Sequence, residues 1–114
     1  MRVIAGEFRS RVLKSLPGLD VRPTPDRLRE ALFSILTPRI NGAVFVDLYA
    51  GTGAVGIEAL SRGAERAIFV ENNKDALEVI RLNLKSLGLE NRGRIWQGRA
   101  SHVIQKIGDR KSVV

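Results

Sequence analysis

From Ala43 to Leu48 every position is apolar except Asp47, the pattern of a strand buried on both faces. Ala67 to Val70 repeats the pattern and predicts a second buried strand. Between them Gly56 to Arg62 reads as a helix, with Gly63 as its C-cap. Lys74 to Leu87 places Leu77, Ile80, Leu84 and Leu87 on one helical stripe, and Gly88 closes it. Arg94 to Gln97 reads as a third strand, and Ala100 to Ile107 as the start of another helix. The order after residue 40 is β-α-β-α-β-α, which predicts an α/β fold with a parallel sheet and right-handed crossovers.

Upstream the periods differ. Residues 2–16 alternate loosely between apolar and polar and predict a small β-hairpin, with Pro17-Gly18 as a turn after it. Thr24 then reads as a helix N-cap, Pro25 as the first helical residue, and Asp26 as a complement to the helix dipole. Leu28, Ala31, Leu32, Ile35 and Leu36 follow the i, i+3, i+4, i+7, i+8 stripe, and Pro38 is expected to end the helix. The chain divides into residues 1–39, a hairpin and helix, and residues 40–114, the part in which strands and helices alternate.

Composition narrows the class. The 114 residues carry 19 Lys/Arg against 12 Asp/Glu, a formal charge of +7. Eight Arg/Lys and four Asp/Glu fall within residues 1–39, so the excess of base is densest there. Such an excess points to a polyanion partner, above all nucleic acid. There is no cysteine, which excludes disulfides and thiolate metal sites. No apolar run approaches the ~20 residues of a membrane span, and the charges near Met1 do not suit a signal peptide. A cytoplasmic protein is expected, with neither a membrane nor a metal as partner.

The chemistry concentrates after the first strand. Gly51-Thr52-Gly53-Ala54-Val55-Gly56 matches G-x-G-x-x-G, a weak signal alone but a strong one between a buried strand and a helix. Asp47 precedes the first glycine, with Tyr49 and Ala50 between. A carboxylate there would repel a pyrophosphate and suits a cationic ammonium, so S-adenosylmethionine fits better than NAD. Glu71, twenty positions after Gly51, ends the second strand, where a carboxylate can accept both hydroxyls of an adenosine ribose. Asn72 is read as supporting. Arg99 could stand near the adenine edge or point to water; His102 reads as a surface residue. Of Arg2, Arg9, Arg11, Lys14, Arg22, Arg27 and Arg29, two or three are expected to meet phosphates.

Three blocks then carry a resemblance: Ile4-Ala5-Gly6-Glu7-Phe8-Arg9-Ser10-Arg11, Arg22-Pro23-Thr24-Pro25-Asp26-Arg27-Leu28-Arg29-Glu30-Ala31-Leu32-Phe33, and Asp47-Leu48-Tyr49-Ala50-Gly51-Thr52-Gly53. In order and spacing they resemble the bacterial 16S ribosomal RNA guanine-N2-methyltransferase family, over essentially the whole chain. The resemblance implies a Rossmann-like methyltransferase fold with an amino-terminal hairpin and helix, S-adenosylmethionine as cofactor, and methylation of the exocyclic amine of one guanine. It implies that Asp47, Gly51 and Gly53 line the methionine and ribose side and that Glu71 holds the ribose hydroxyls. It also implies that Arg22, Thr24 and Arg29 belong to a block folded over cofactor and substrate. Arg99 stands where the family usually has an acid or amide facing the adenine amine. The family's catalytic Asn/Asp-Pro-Pro-aromatic segment follows a fourth strand, whereas the prolines here are Pro17, Pro23, Pro25 and Pro38.

The reading is therefore the amino-terminal, cofactor-binding part of a ribosomal RNA guanine-N2-methyltransferase, with no catalytic residue assigned within these residues. Its partner would be ribosomal RNA or the assembling small subunit, and the whole enzyme would act as a monomer. Val113-Val114 is expected to fall about where the fourth strand begins, leaving Val44-Phe45-Val46 as an unpaired edge. The alternative from another class is a non-catalytic nucleoside- or RNA-binding module; a dinucleotide-dependent oxidoreductase is disfavoured by Asp47.

Overall fold

In the computed structural model, residues 1–16, 26–102 and 112–113 are described. Four parallel strands form one sheet in the order β3-β2-β1-β4. They are β1 (Val44–Asp47), β2 (Arg66–Glu71), β3 (Gly93–Gln97) and β4 (Ser112–Val113). Helices α1 (Asp26–Ile40), α2 (Ala54–Ser61) and α3 (Lys74–Ser86) complete it. The predicted α/β class and parallel sheet are met. The chain steps outward from β1 to β2 to β3 and returns to the far side of β1 as β4. That reversal opens a crevice at the carboxyl ends of β1 and its neighbours, the place where open α/β sheets bind ligands.

One large apolar cluster joins the helices to one sheet face through Phe33, Ile57, Leu60, Phe69, Ile80 and Leu84. Val3 and Leu13 belong to the same cluster, so the amino-terminal segment shares the core of the α/β part. A smaller cluster of Val46, Ile68 and Val70, with Trp96 packed on it, occupies the other face. Residues buried on both faces explain the continuous apolar runs of β1 and β2.

α3 begins because the Asn73 side chain accepts from the amides of Asp75 and Ala76, at 2.9 and 3.0 Å. It ends at Leu87, before Gly88 at φ 68°. Gly56 in α2 has a packing reason. A Cβ there would lie 2.3 Å from Cε1 of Phe69, so only glycine lets helix and strand approach this closely.

Four expectations change. The hairpin over residues 2–16 reduces to one antiparallel bridge, Arg2 with Val12, around a turn held by Val3–Arg11 and Leu13–Met1 backbone bonds. Pro38 does not end α1; it sits in the last turn, where its missing N–H forfeits only the bond to the Ser34 carbonyl, and the buried Ile40 carries the helix on. Of the stripe Leu28, Ala31, Leu32, Ile35 and Leu36, Leu36 packs against the core and the other four are exposed, with Ile35 at 77%. α1 instead turns Arg29, Phe33 and Ile40 inward. Finally, Val44 and Phe45 are not an open edge, because they pair with Ser112 and Val113 of β4. The expected N-cap Thr24, with Pro25, lies outside the described residues, as does the Ala100–Ile107 helix beyond its first helical residues, Ala100 to His102.

Candidate functional site

The site begins where β1 stops. Asp47 is the last residue of β1, level in register with Phe69 of β2. Its Oδ1 accepts from the Tyr49 amide at 3.3 Å, which starts the turn out of the strand. The Ala50 amide donates to the Val70 carbonyl at 3.1 Å, stitching the turn to β2. Gly51 and Gly53 then adopt φ of 55° and 85°, left-handed values that side chains resist. Gly53 caps α2.

Glu71 fastens this turn from the neighbouring strand. Its Oε1 accepts from the Gly51 amide at 2.8 Å, and its Oε2 from the amides of Asn72 and Asn73 at 3.0 and 2.9 Å. The spacing of twenty residues that singled out Glu71 thus corresponds to a direct bond across the crevice. Asp47, Gly51 and Glu71 are brought to one rim.

Burial gives Asp47 an unusual proton affinity. Desolvation, with a smaller push from the Glu71 charge, raises its pKa from 3.8 to about 6, against the opposing pull of the Tyr49 and Gly56 amides. Its Oδ2 is buried with no hydrogen-bond partner among the described residues. A buried carboxylate oxygen without a partner is costly, and a cation placed against it would relieve both the desolvation and the Glu71 repulsion.

Beside the rim lies a cleft of about 410 Å³ whose walls include Leu48, Tyr49, Glu71, Asn72, Arg99 and Ser101. Tyr49 is 84% exposed at its mouth. Arg99 lines the cleft and is exposed; a guanidinium only donates, so it offers no acceptor to an amine. Ala50 and Thr52 are buried behind the turn. Thr52 points its hydroxyl at Met1 Sδ, 4.0 Å away, rather than into the cleft. His102 is exposed.

The basic residues separate. Arg2, Arg9 and Arg11 are exposed on the amino-terminal segment. Arg2 donates to the Ser10 carbonyl and Arg11 to the Ser86 carbonyl of α3. Arg22 and Thr24 lie outside the described residues. Arg29 is a correction. Its side chain is 0% exposed, bonded to Asp26 at 2.6 Å and to the Arg2 carbonyl at 2.8 Å, with Glu58 3.7 Å away. α1 has rotated it inward, so it braces the interior and does not face a polyanion.

Sequence reading missed three anchors: Glu58, Ser61 and Asn83. Buried Glu58 accepts from the amides of Ile4 and Ala5 at 2.8 and 3.0 Å and pairs with Arg62 at 2.8 Å. Ser61 Oγ accepts from the Phe8 amide and donates to the Ala5 carbonyl. Asn83 bonds Lys14. The available signal was a lone acid within an apolar helix, Ala54–Ser61, and a lone amide beside the apolar stripe of α3; buried polar groups in such places require partners.

Comparison with known proteins agrees with this architecture. A candidate rRNA methyltransferase of Bacillus subtilis strain 168 is 38% identical over 112 residues, 98% of this chain and 61% of that protein. The ribosomal RNA small subunit methyltransferase D of Haemophilus influenzae is 41% identical over 87 residues, 76% of this chain and 45% of its own length. The solved structure of a candidate methyltransferase from Escherichia coli superposes with a TM-score of 0.81 at 38% identity, covering 91% of this chain and 56% of that one. The chain thus spans roughly half the length of the relatives it matches, and its fold is the Rossmann-like methyltransferase fold. The family described as conserved hypothetical protein 95 matches residues 1–114 without a gap at either end, and this chain belongs to that family.

Proposed function

We propose that this chain supplies the S-adenosylmethionine-binding part of an enzyme that methylates the exocyclic N2 of a guanine in 16S ribosomal RNA. One observation carries the reading: the half-buried carboxylate of Asp47, whose buried Oδ2 has no hydrogen-bond partner among the described residues, shares a rim with a glycine turn that Glu71 fastens. The residues present fit such a cofactor. Asp47 Oδ2 is an anionic acceptor suited to the methionyl ammonium. The cleft beside Leu48 and Tyr49 has the volume for a nucleoside. Glu71, whose two oxygens already accept three amides, keeps one lone pair, on Oε1, for a ribose hydroxyl. A pyrophosphate in the same place would meet two carboxylates, which disfavours a dinucleotide.

When bound, the cofactor would supply an electrophilic sulfonium methyl group. The work of this chain is to bind and orient it, a contribution that is mostly positioning. Arg2, Arg9 and Arg11 would hold RNA phosphates. The names of the relatives, rRNA small subunit methyltransferases, support RNA as the substrate class. No residue of the 114 is assigned to orienting the guanine amine.

Calorimetry tests the cofactor directly. S-adenosylmethionine and S-adenosylhomocysteine are expected to bind, with NAD indistinguishable from a buffer blank. Binding of NAD in preference would overturn the assignment.

A further inference from the structure

Asn83 is 1% exposed, on the side of α3 that faces the core. Its Oδ1 accepts from the Lys14 amide at 2.7 Å, and its Nδ2 donates to the Lys14 carbonyl at 3.2 Å and to the Thr52 carbonyl at 3.1 Å. Thr52 is the residue between Gly51 and Gly53. A second contact runs in parallel, from the Thr52 hydroxyl to Met1 Sδ, and the Met1 carbonyl accepts from Leu13. The glycine turn therefore touches both ends of the amino-terminal segment that carries Arg2, Arg9 and Arg11. Two left-handed glycines give the turn little intrinsic preference for one shape. A buried amide with three partners supplies that preference, because a satisfied polar network in the interior specifies one arrangement.

We propose that Asn83 is a positioning residue that couples the glycine turn to the basic amino-terminal segment. Ligand in the cleft fixes Thr52, Thr52 fixes the Asn83 amide, and that amide orders the backbone at Lys14. By linkage, order imposed on the basic segment by a polyanion tightens the turn for its ligand. The inference rests on the turn being the S-adenosylmethionine site.

Hydrogen exchange on the 114-residue chain, with and without saturating S-adenosylhomocysteine, tests it. The Lys14 amide is expected to slow by about 5-fold or more, beyond any change at the Ala67 amide, which pairs with the Arg92 carbonyl away from the glycine turn. Asn83→Asp keeps the acceptor for the Lys14 amide and removes the donor to the Thr52 and Lys14 carbonyls. It should leave Lys14 protected without ligand yet abolish the response. A thermal melt identifies a variant that fails to fold, and the wild-type comparison then decides alone. Equal slowing at Lys14 and Ala67, or a full response in folded Asn83→Asp, overturns the coupling and leaves the cofactor reading intact. Failure of S-adenosylhomocysteine to bind, read by calorimetry, overturns both.

Discussion

Asp47 is destabilising where it stands. Its folded pKa, about 6, lies above the ordinary 3.8. Between those values the native state holds a proton that the unfolded chain has lost, so stability falls as pH rises from about 4 to 6 and is level above that. The gap corresponds to about 3 kcal/mol. Asp47→Asn should therefore be more stable than wild type above pH 6, by up to that amount, with the advantage shrinking towards pH 4. Denaturation midpoints across that range would show it; a constant advantage at every pH would refute the cause. The same substitution should weaken S-adenosylhomocysteine binding about tenfold to a hundredfold, the range for a lost hydrogen bond to a charged group. Wild-type affinity should itself decline as pH falls through about 6. Asp47 and Glu71 were legible in the sequence because polar residues at the ends of apolar runs can only sit at strand ends. Arg29 was not, because its inward side chain meets the Arg2 carbonyl and lies 3.7 Å from Glu58, groups distant in the sequence whose nearness no local pattern encodes.

At the scale of elements, α1 separates pattern from packing. Its apolar positions are too many for one face, and periodicity selected Leu28, Ala31, Leu32, Ile35 and Leu36, of which Leu36 alone packs against the core. The structure selects Phe33, whose ring lies 6.0 Å from that of Phe45 and under the Arg62 guanidinium at 5.0 Å. Phe33→Ala is expected to cost about 3–5 kcal/mol, and Ile35→Ala less than about 0.5 kcal/mol. Urea titration would rank them, and the reverse order would restore the stripe read from the sequence. α2 and α3 were read within a residue or two, since the glycine turn, Gly63 and Gly88 mark their ends chemically. The amino-terminal segment was read only as a basic hairpin. Its three exposed arginines predict a linear fall of log binding constant with log salt, and Arg9→Ala with Arg11→Ala should reduce that slope by about 1–2. RNA binding with an unchanged slope would make them ordinary surface charges.

In the whole molecule, the parallel order and the crevice above β1 and β2 followed from alternation of strand and helix, which is a local signal. The bonds that close the amino-terminal segment onto α2 and α3 did not, since they join residues far apart in sequence. That distance also sets an order of events. Ile4, Ala5 and Lys14 find their partners 53 to 69 residues later in the chain. At ribosomal speeds of ~5–20 residues/s this segment waits roughly 3–14 s before Glu58 and Asn83 have been synthesised. The short-range β-α-β units can condense first, and the segment docks onto them. Ser61→Ala, which removes the bonds to Ala5 and Phe8, should then quicken unfolding and leave the folding rate nearly unchanged. A chevron whose folding limb slows instead would put the amino terminus in the nucleus. Otherwise residues 1–16 are made well before they are secured, and a nascent chain carries this basic stretch undocked beside the RNA of the ribosome that is making it.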